Sequence, residues 1–226
     1  MTRDAPSAES LVRPGAQQRL ALERPWPLDR ESFIASPANA AALQLIETDT
    51  AWPEGRLALI GPEGSGKTHL AAIWAARAGA QVIAAADLRA LHAGGPLVIE
   101  DADRGVNARA LFAVHEAAGP SAPALLTART RPRDWPLDLP DLRSRLNAMM
   151  LAELSSPDDE VLSAMLDRFF RERNIVPPKS VTAFLLRRIE RSAAAARRAV
   201  EQIDEAASQS RRNITRDLAR EVLGEV

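Results

Sequence analysis

An α/β fold is expected for this chain: a parallel five-stranded sheet flanked by helices, followed by a small all-α unit. Three observations predict it. Short apolar runs alternate with alanine-rich helical segments over residues 31–155, the pattern of a parallel sheet covered on both faces. A glycine-rich loop, GPEGSGKT at residues 61–68, stands between one such run and one such helical segment. From Pro157 onward the strand pattern stops and only helical periodicity remains.

The elements follow in order. Residues 1–30 are rich in Pro, Arg, Asp and Glu and read as a mobile tail. SFIASPANAAALQLIE offers Asn39 as an N-cap and a helix running to Glu47. RLALIG is a buried strand ending in glycine. KTHLAAIWAARAG is a helix that stops at Gly79. AQVIAAA and GPLVIED give two more strands, ARALFAVHEAA a helix, and APALLTA a fourth strand. DLRSRLNA is a short helix and MMLAEL a fifth strand. Four helical stretches then fill residues 156–226, roughly 70 residues, the size of a small domain. Their apolar stripe, with Leu185, Leu186 and Ile189, reads as bundle core. The charged RERN and LRRIER stretches read as solvated faces.

Composition narrows the function. Apolar residues make up 46% of the 226, enough for a real core. The absence of cysteine excludes disulfides, thiolate metal sites and cysteine catalysis. His69, His92 and His115 are scattered without metal-ligand spacing. A net charge of −1 announces no basic field for nucleic acid. No run is long and apolar enough to span a bilayer, and the polar N-terminus has no signal-peptide core. A soluble cytoplasmic protein is expected.

The loop at residues 61–68 fits the G-x-x-x-x-G-K-[ST] pattern without a mismatch. Its glycines let backbone N–H groups turn inward around phosphate oxygens, and the following helix aims its positive end at the same anion. Gly61, Pro62, Glu63, Gly64, Ser65, Gly66, Lys67, Thr68 and the adjacent His69 are the candidate nucleotide-binding residues. Lys67 would neutralise the β- and γ-phosphates of ADP or ATP, and Thr68 would ligate Mg²⁺. LVIEDAD ends a buried strand with Glu100 and Asp101, and two carboxylates there are costly unless they bind metal or water. Aligned by frame, Glu100 faces the metal through water and Asp101 orients the attacking water. Asp101 reaches one methylene less far than a glutamate, so intrinsic hydrolysis is expected to be slow.

On these residues the chain resembles the DnaA-like branch of the AAA+ ATPases, and within it the Hda type, short DnaA homologues that inactivate the replication initiator. The marks are SFIASPANAAAL, GPEGSGKTHL, LVIEDADR, LLTARTRP and DLRSRL. The resemblance covers nearly the whole chain. It implies an AAA+ P-loop NTPase fold with residues 31–155 as the nucleotide domain and 156–226 as a helical lid. In DLRSRL it implies that Arg145 is an arginine finger, reaching a neighbour's nucleotide. A planar, permanently charged fork suits that task. Arg143 is either its helper or a partner for Asp141. The implied partners are the DNA polymerase sliding clamp and the initiator DnaA, with DNA met only through the clamp. A second copy of the chain is a further candidate partner. The implied function is to stimulate ATP hydrolysis by the initiator and so prevent over-initiation, in the cytoplasm at the bacterial nucleoid.

Residues 1–30 carry one further mark. Gln17, Leu20 and Leu22 have the spacing Q-x-x-L-x-L, which resembles the clamp-binding segment of Hda-type proteins. An extended peptide can bury two leucines in an apolar groove while the glutamine amide bonds its edge.

Several features depart from the family. Only DLRALHAGG joins the second strand to the acidic strand, where the initiators carry a long DNA-channel segment. The sequence closes with the lid, so the initiators' helix-turn-helix domain is not expected. Arg129 of LLTARTRP stands where an acidic sensor is expected, and the lid's sensor arginine falls on Ala194. Arg191, Arg197 or Arg198 could substitute. Two rival functions follow. A helicase-loader-like protein binding single-stranded DNA needs basic or aromatic channel loops, and DLRALHAGG supplies one arginine and no aromatic. An independent P-loop NTPase needs a substrate pocket and intact sensors.

Overall fold

The computed structural model describes residues 27–48, 52–89 and 94–224. Gln17, Leu20 and Leu22 lie outside the described residues. Helix α1, Ala40–Glu47, precedes strand β1, Arg56–Ile60, and α2, Lys67–Ala78. Strands β2, Gln81–Ala84, and β3, Leu97–Glu100, come next, then α3, Ala108–Ala117, and β4, Ala124–Ala128. Helix α4, Pro140–Asn147, leads into β5, Met150–Glu153. The sheet order is β2-β3-β4-β1-β5 and every pairing is parallel.

The apolar runs are continuous because both faces of the sheet are covered. Leu57 and Leu59 of β1 face α1 and α2, in one cluster with Ile46, Leu70 and Trp74. Ala58 and Ile60 face the other side, with Leu111 and Val114 of α3 and Leu142 and Leu146 of α4. Gly79 closes α2 in the left-handed region at φ 65°, as a glycine stop should. At the start of α1 the expectation holds for position and not for chemistry. Asn39 precedes the helix, but its side chain makes no cap. It turns back instead, accepting from Ser36 N at 2.9 Å and donating to Ile34 O at 3.0 Å.

The remaining helices are α5, Asp159–Glu172, α6, Lys179–Leu186, α7, Ala193–Ser210, and α8, Arg216–Leu223. They pack on their own cluster, in which Leu166, Phe169, Phe170, Leu185, Val200 and Ile203 are buried. Leu186 and Ile189 pack against it, as the stripe predicts. Three of these helices have side-chain caps: Asp158 to Val161 N, Ser192 to Ala195 N, and Thr215 to Leu218 N. Each such cap contributes about 1 kcal/mol. No helix among the described residues is long and apolar enough to cross a membrane.

Candidate nucleotide site

The loop at residues 61–68 leaves the carboxyl end of β1 and enters α2. It turns through Gly64 at φ 74° and Gly66 at φ 98°, conformations that favour glycine. The loop is wedged between two neighbours. A Cβ on Gly61 would lie 2.4 Å from Leu154 O, just past β5, and a Cβ on Gly64 would lie 2.3 Å from Ser192 Cβ, the cap of α7. Lys67 is buried at 7% exposure, and its ammonium donates to Gly61 O at 2.8 Å and Pro62 O at 2.7 Å. Burial pulls that ammonium below the ordinary lysine value; Asp101 opposes the shift and Arg129 adds to it. Ser65 Oγ is buried with no hydrogen-bond partner. A cradle of positive-φ glycines, a buried lysine over loop carbonyls and an orphaned hydroxyl fit an anionic phosphate chain.

The acidic strand ends beside this loop. Side chains alternate along a strand, and Val98 lies in the cluster with Leu70 and Trp74 of α2. Glu100, two residues on, therefore shares the face that α2 covers. Asp101 leaves the strand at φ 54°, and its N–H donates to Thr127 Oγ1 of β4 at 3.1 Å. The chain then continues to Asp103, which sequence reasoning missed. Asp103 Oδ2 accepts from Arg129 N at 3.1 Å, and its Oδ1 is buried without a partner. The signal was a third carboxylate in EDAD, two residues after Asp101. Arg129 in turn pairs with the loop itself, Nη1 to Glu63 Oε2 at 2.6 Å. Thr68 is exposed in the first turn of α2. Thr68 and Glu100 could hold Mg²⁺, and the loop could hold the phosphates of ADP or ATP.

No family model matches the chain. Domain III of the Thermotoga maritima replication initiation protein DnaA aligns with a TM-score of 0.71 and 17% identity, over 87% of this chain and 95% of that one. The Thermotoga maritima RuvB Holliday junction branch migration motor gives 0.67 and 21% identity, over 88% of this chain and 72% of that one. This is the AAA+ P-loop NTPase fold. A replication initiator DnaA bound to AMPPCP and single-stranded DNA gives 0.64 and 16% identity, over 82% of this chain and 68% of that one.

Within the AAA+ fold, Arg145 sits far from the loop. Arg56 opens β1, and its Nε donates to His115 O at 3.0 Å, so the end of α3 lies at the amino end of the sheet. Arg145 Nη1 pairs there with Glu116 Oε1 at 2.7 Å, and its Nε with Asp141 Oδ1 at 3.1 Å. Its guanidinium also lies 5.5 Å from the Phe112 ring centre. The Asp141 hydrogen bond raises the Arg145 pKa further above its ordinary value. The phosphate loop stands at the opposite, carboxyl end, the length of a five-residue strand away, about 16 Å. Asp141 thus pairs with Arg145, and no ion pair with Arg143 is formed. His115 is buried behind this cluster, its Nδ1 without a hydrogen bond and 3.6 Å from Glu116 Oε1. Burial lowers its pKa, with Arg56 adding to the effect and Glu116 opposing it.

The remaining sites sort themselves by what they touch. His69 meets the stretch that precedes α1. Its Nε2 lies 2.8 Å from Asp29 O and 3.2 Å from Ser32 Oγ, and its ring meets Phe33 edge-on at 5.1 Å. Burial lowers its pKa, and the bond to the Asp29 carbonyl opposes that. Ser32 O also accepts from Arg168 of α5 at 3.4 Å, so this stretch touches both α2 and α5. Ala194 is exposed in the first turn of α7. Arg191 is tied to the start of α5, through Pro157 O at 3.2 Å and Asp159 Oδ1 at 2.5 Å. Arg197 lies over the Phe169 ring at 4.6 Å.

Proposed function

We propose that the chain is a nucleotide-binding adaptor that stimulates ATP hydrolysis by a replication initiator of the DnaA type. In this reading residues 31–155 hold ADP or ATP and residues 156–226 form the lid. Lys67 meets the β-phosphate, and Thr68 and Glu100 hold Mg²⁺, which draws charge from the phosphate oxygens when bound. Asp101 orients water, and intrinsic turnover is weak. Arg145 acts on the partner's nucleotide.

The observation that carries the reading is the separation of the two cations. Lys67 lies in the loop at one end of the sheet. Arg145 is exposed at the other end, beyond reach of its own loop. A charge that cannot serve its own phosphates is available to those of a neighbour, and an arginine finger supplied in trans is among the largest single contributions to phosphoryl transfer. The likeness in fold to DnaA domain III supports a partner of the same architecture. The Q-x-x-L-x-L stretch at Gln17, Leu20 and Leu22 supports docking on the sliding clamp, which would raise the local concentration near DNA.

The test is phosphate release from ATP-loaded initiator mixed with the chain, with and without DNA-loaded clamp. Stimulation that depends on both is expected. A Gln17→Ala, Leu20→Ala, Leu22→Ala variant should lose the clamp dependence. An initiator whose hydrolysis ignores the chain under all these conditions overturns the adaptor reading.

A further inference from the structure

The proposed function makes no use of His115, which sits in the last turn of α3 and is buried at 7% exposure. Its ring borders a small hollow walled by Leu111, Leu126, Leu146 and Met149. Its Nδ1 is shut off from solvent and makes no hydrogen bond, which is uncommon for a polar atom in a folded interior. That nitrogen stands 3.6 Å from Glu116 Oε1, too far for a bond. The same oxygen accepts Arg145 Nη1 at 2.7 Å. One carboxylate oxygen is thus shared by a buried imidazole and an exposed guanidinium.

The charges around the ring come from three elements. Helix α3 supplies Glu116, and α4 supplies Arg145 and Asp141. Arg56 of β1 holds the His115 carbonyl and pairs with Glu54. Strand β4 and the residue before β5 add Ala124, Leu126 and Met149, all apolar. Burial lowers the pKa of the ring below the ordinary histidine value, Arg56 and Arg145 add to the effect, and Glu116 opposes it. A neutral imidazole carries one N–H; the cation carries one on each nitrogen. Charging the ring therefore puts a donor at Nδ1, facing Glu116. A buried cation without a partner is costly, and this ring has no path to water. Arg145 is 41% exposed and keeps Asp141 at 3.1 Å. When both cations compete for one oxygen, the exposed one yields.

We propose that His115 is a positioning residue for Arg145: a proton on its ring draws Glu116 inward and frees the guanidinium for a phosphate on a neighbouring molecule. The exchange of Glu116 stands on the cluster alone, and its consequence rests on the adaptor reading. Neutral His115 leaves the Glu116–Arg145 pair closed. Charged His115 opens it, so the pair opens as pH falls below the ordinary histidine value.

The experiment has two arms. The first is NMR on the full chain from about pH 8 to about pH 5, following the His115 ring and the Arg145 Nε–H. His115→Phe and Arg145→Lys assign the two signals. A shared midpoint is expected, and in Glu116→Gln the Arg145 signal should cease to follow the ring. The second arm is phosphate release from ATP-loaded initiator. At each pH the rate with the wild-type chain is divided by the rate with His115→Phe, which cancels the initiator's own response to pH. That ratio should rise about two- to five-fold on acidification, the range of an exposed ion pair, and stay flat when both chains carry Glu116→Gln. A ring that serves packing alone would leave it flat throughout. Where His115→Phe fails to fold, His115→Asn replaces it, with a polar atom at the Nδ1 position and no proton to gain. An Arg145 signal that ignores the titration of His115, or a ring still neutral at about pH 5, overturns the proposal. So does a flat ratio from a chain that stimulates. Stimulation at no pH removes the adaptor reading, and the NMR arm then decides the exchange by itself.

Discussion

The two ends of the sheet use the same residue types in opposite ways. At the carboxyl end, Lys67, Glu63, Asp101, Asp103 and Arg129 gather around a backbone loop, and the central cation is 7% exposed and fixed by carbonyls. At the amino end, Arg145 hangs on two surface carboxylates, its side chain 41% exposed. A buried cation bound to the main chain waits for a ligand to come to it. An exposed cation held by screened pairs can leave them for a ligand on another molecule. The contrast teaches that charge and residue type do not assign a role; burial and the partner that must be surrendered do.

Arg145→Ala should have the largest effect, and only at one end. Removing a finger of this kind costs about 10³-fold or more in the stimulated rate. ADP affinity of the chain and its thermal midpoint should stay as in the wild type. Retained stimulation would mean that the amino end plays no part in the partner's chemistry. Lys67→Ala is the reciprocal break. The loss of a charged hydrogen bond to phosphate should weaken ADP by about ten- to hundred-fold in calorimetry. Unaltered affinity would remove Lys67 from the site.

The two ends were not equally legible in the sequence. The loop is contiguous, and its glycines and lysine meet through neighbouring backbone, so eight consecutive letters sufficed. The strands and helices were legible for the same local reason: period and punctuation. The Arg129–Glu63 pair was not, because it depends on β4 lying beside β1, which is a property of sheet order. Asp103 escaped notice because its carboxylate is recruited by the backbone of a strand end distant in sequence. The contacts of His69 with Asp29 and Ser32 were not legible either, because those residues lie about forty positions earlier in the chain. Asn39 was assigned to the right position with the wrong bonds, because a side-chain amide can cap forward or brace the turn behind it. Arg145 carried no signal of its own in an arginine-rich chain. The finger role proposed for it rests on resemblance, and its position at the far end of the sheet is what the structure adds.

Gly64→Ala sharpens the comparison at the carboxyl end. The new methyl would sit 2.3 Å from Ser192 Cβ on a backbone at φ 74°. The conformation alone costs roughly 1–2 kcal/mol for an alanine. The clash adds to that unless α7 moves off the loop. A thermal midpoint lowered by about 2–8 °C is therefore expected, together with weaker ADP binding. A variant with both properties of the wild type would show that α7 does not rest on the loop at Ser192.

Glu116→Gln gives the smallest effect and probes the amino end most finely. Glu116 accepts Arg145 Nη1 at 2.7 Å and faces the buried His115 Nδ1 at 3.6 Å. The glutamine keeps the shape and removes the charge. Arg145 then retains only Asp141 as an ionic partner, across one helical turn of α4. All three side chains are open to solvent, so the lost attraction is small. A guanidinium that must leave its own carboxylates before meeting a partner's phosphate gains whatever it no longer surrenders. Stimulated hydrolysis should therefore rise by less than about ten-fold, most clearly at low salt where the pair is least screened. Removing Asp141 as well should add to the gain. A fall in stimulation would give Glu116 the opposite role: it would position the finger, and the surface pairs would be part of the working geometry instead of a restraint on it.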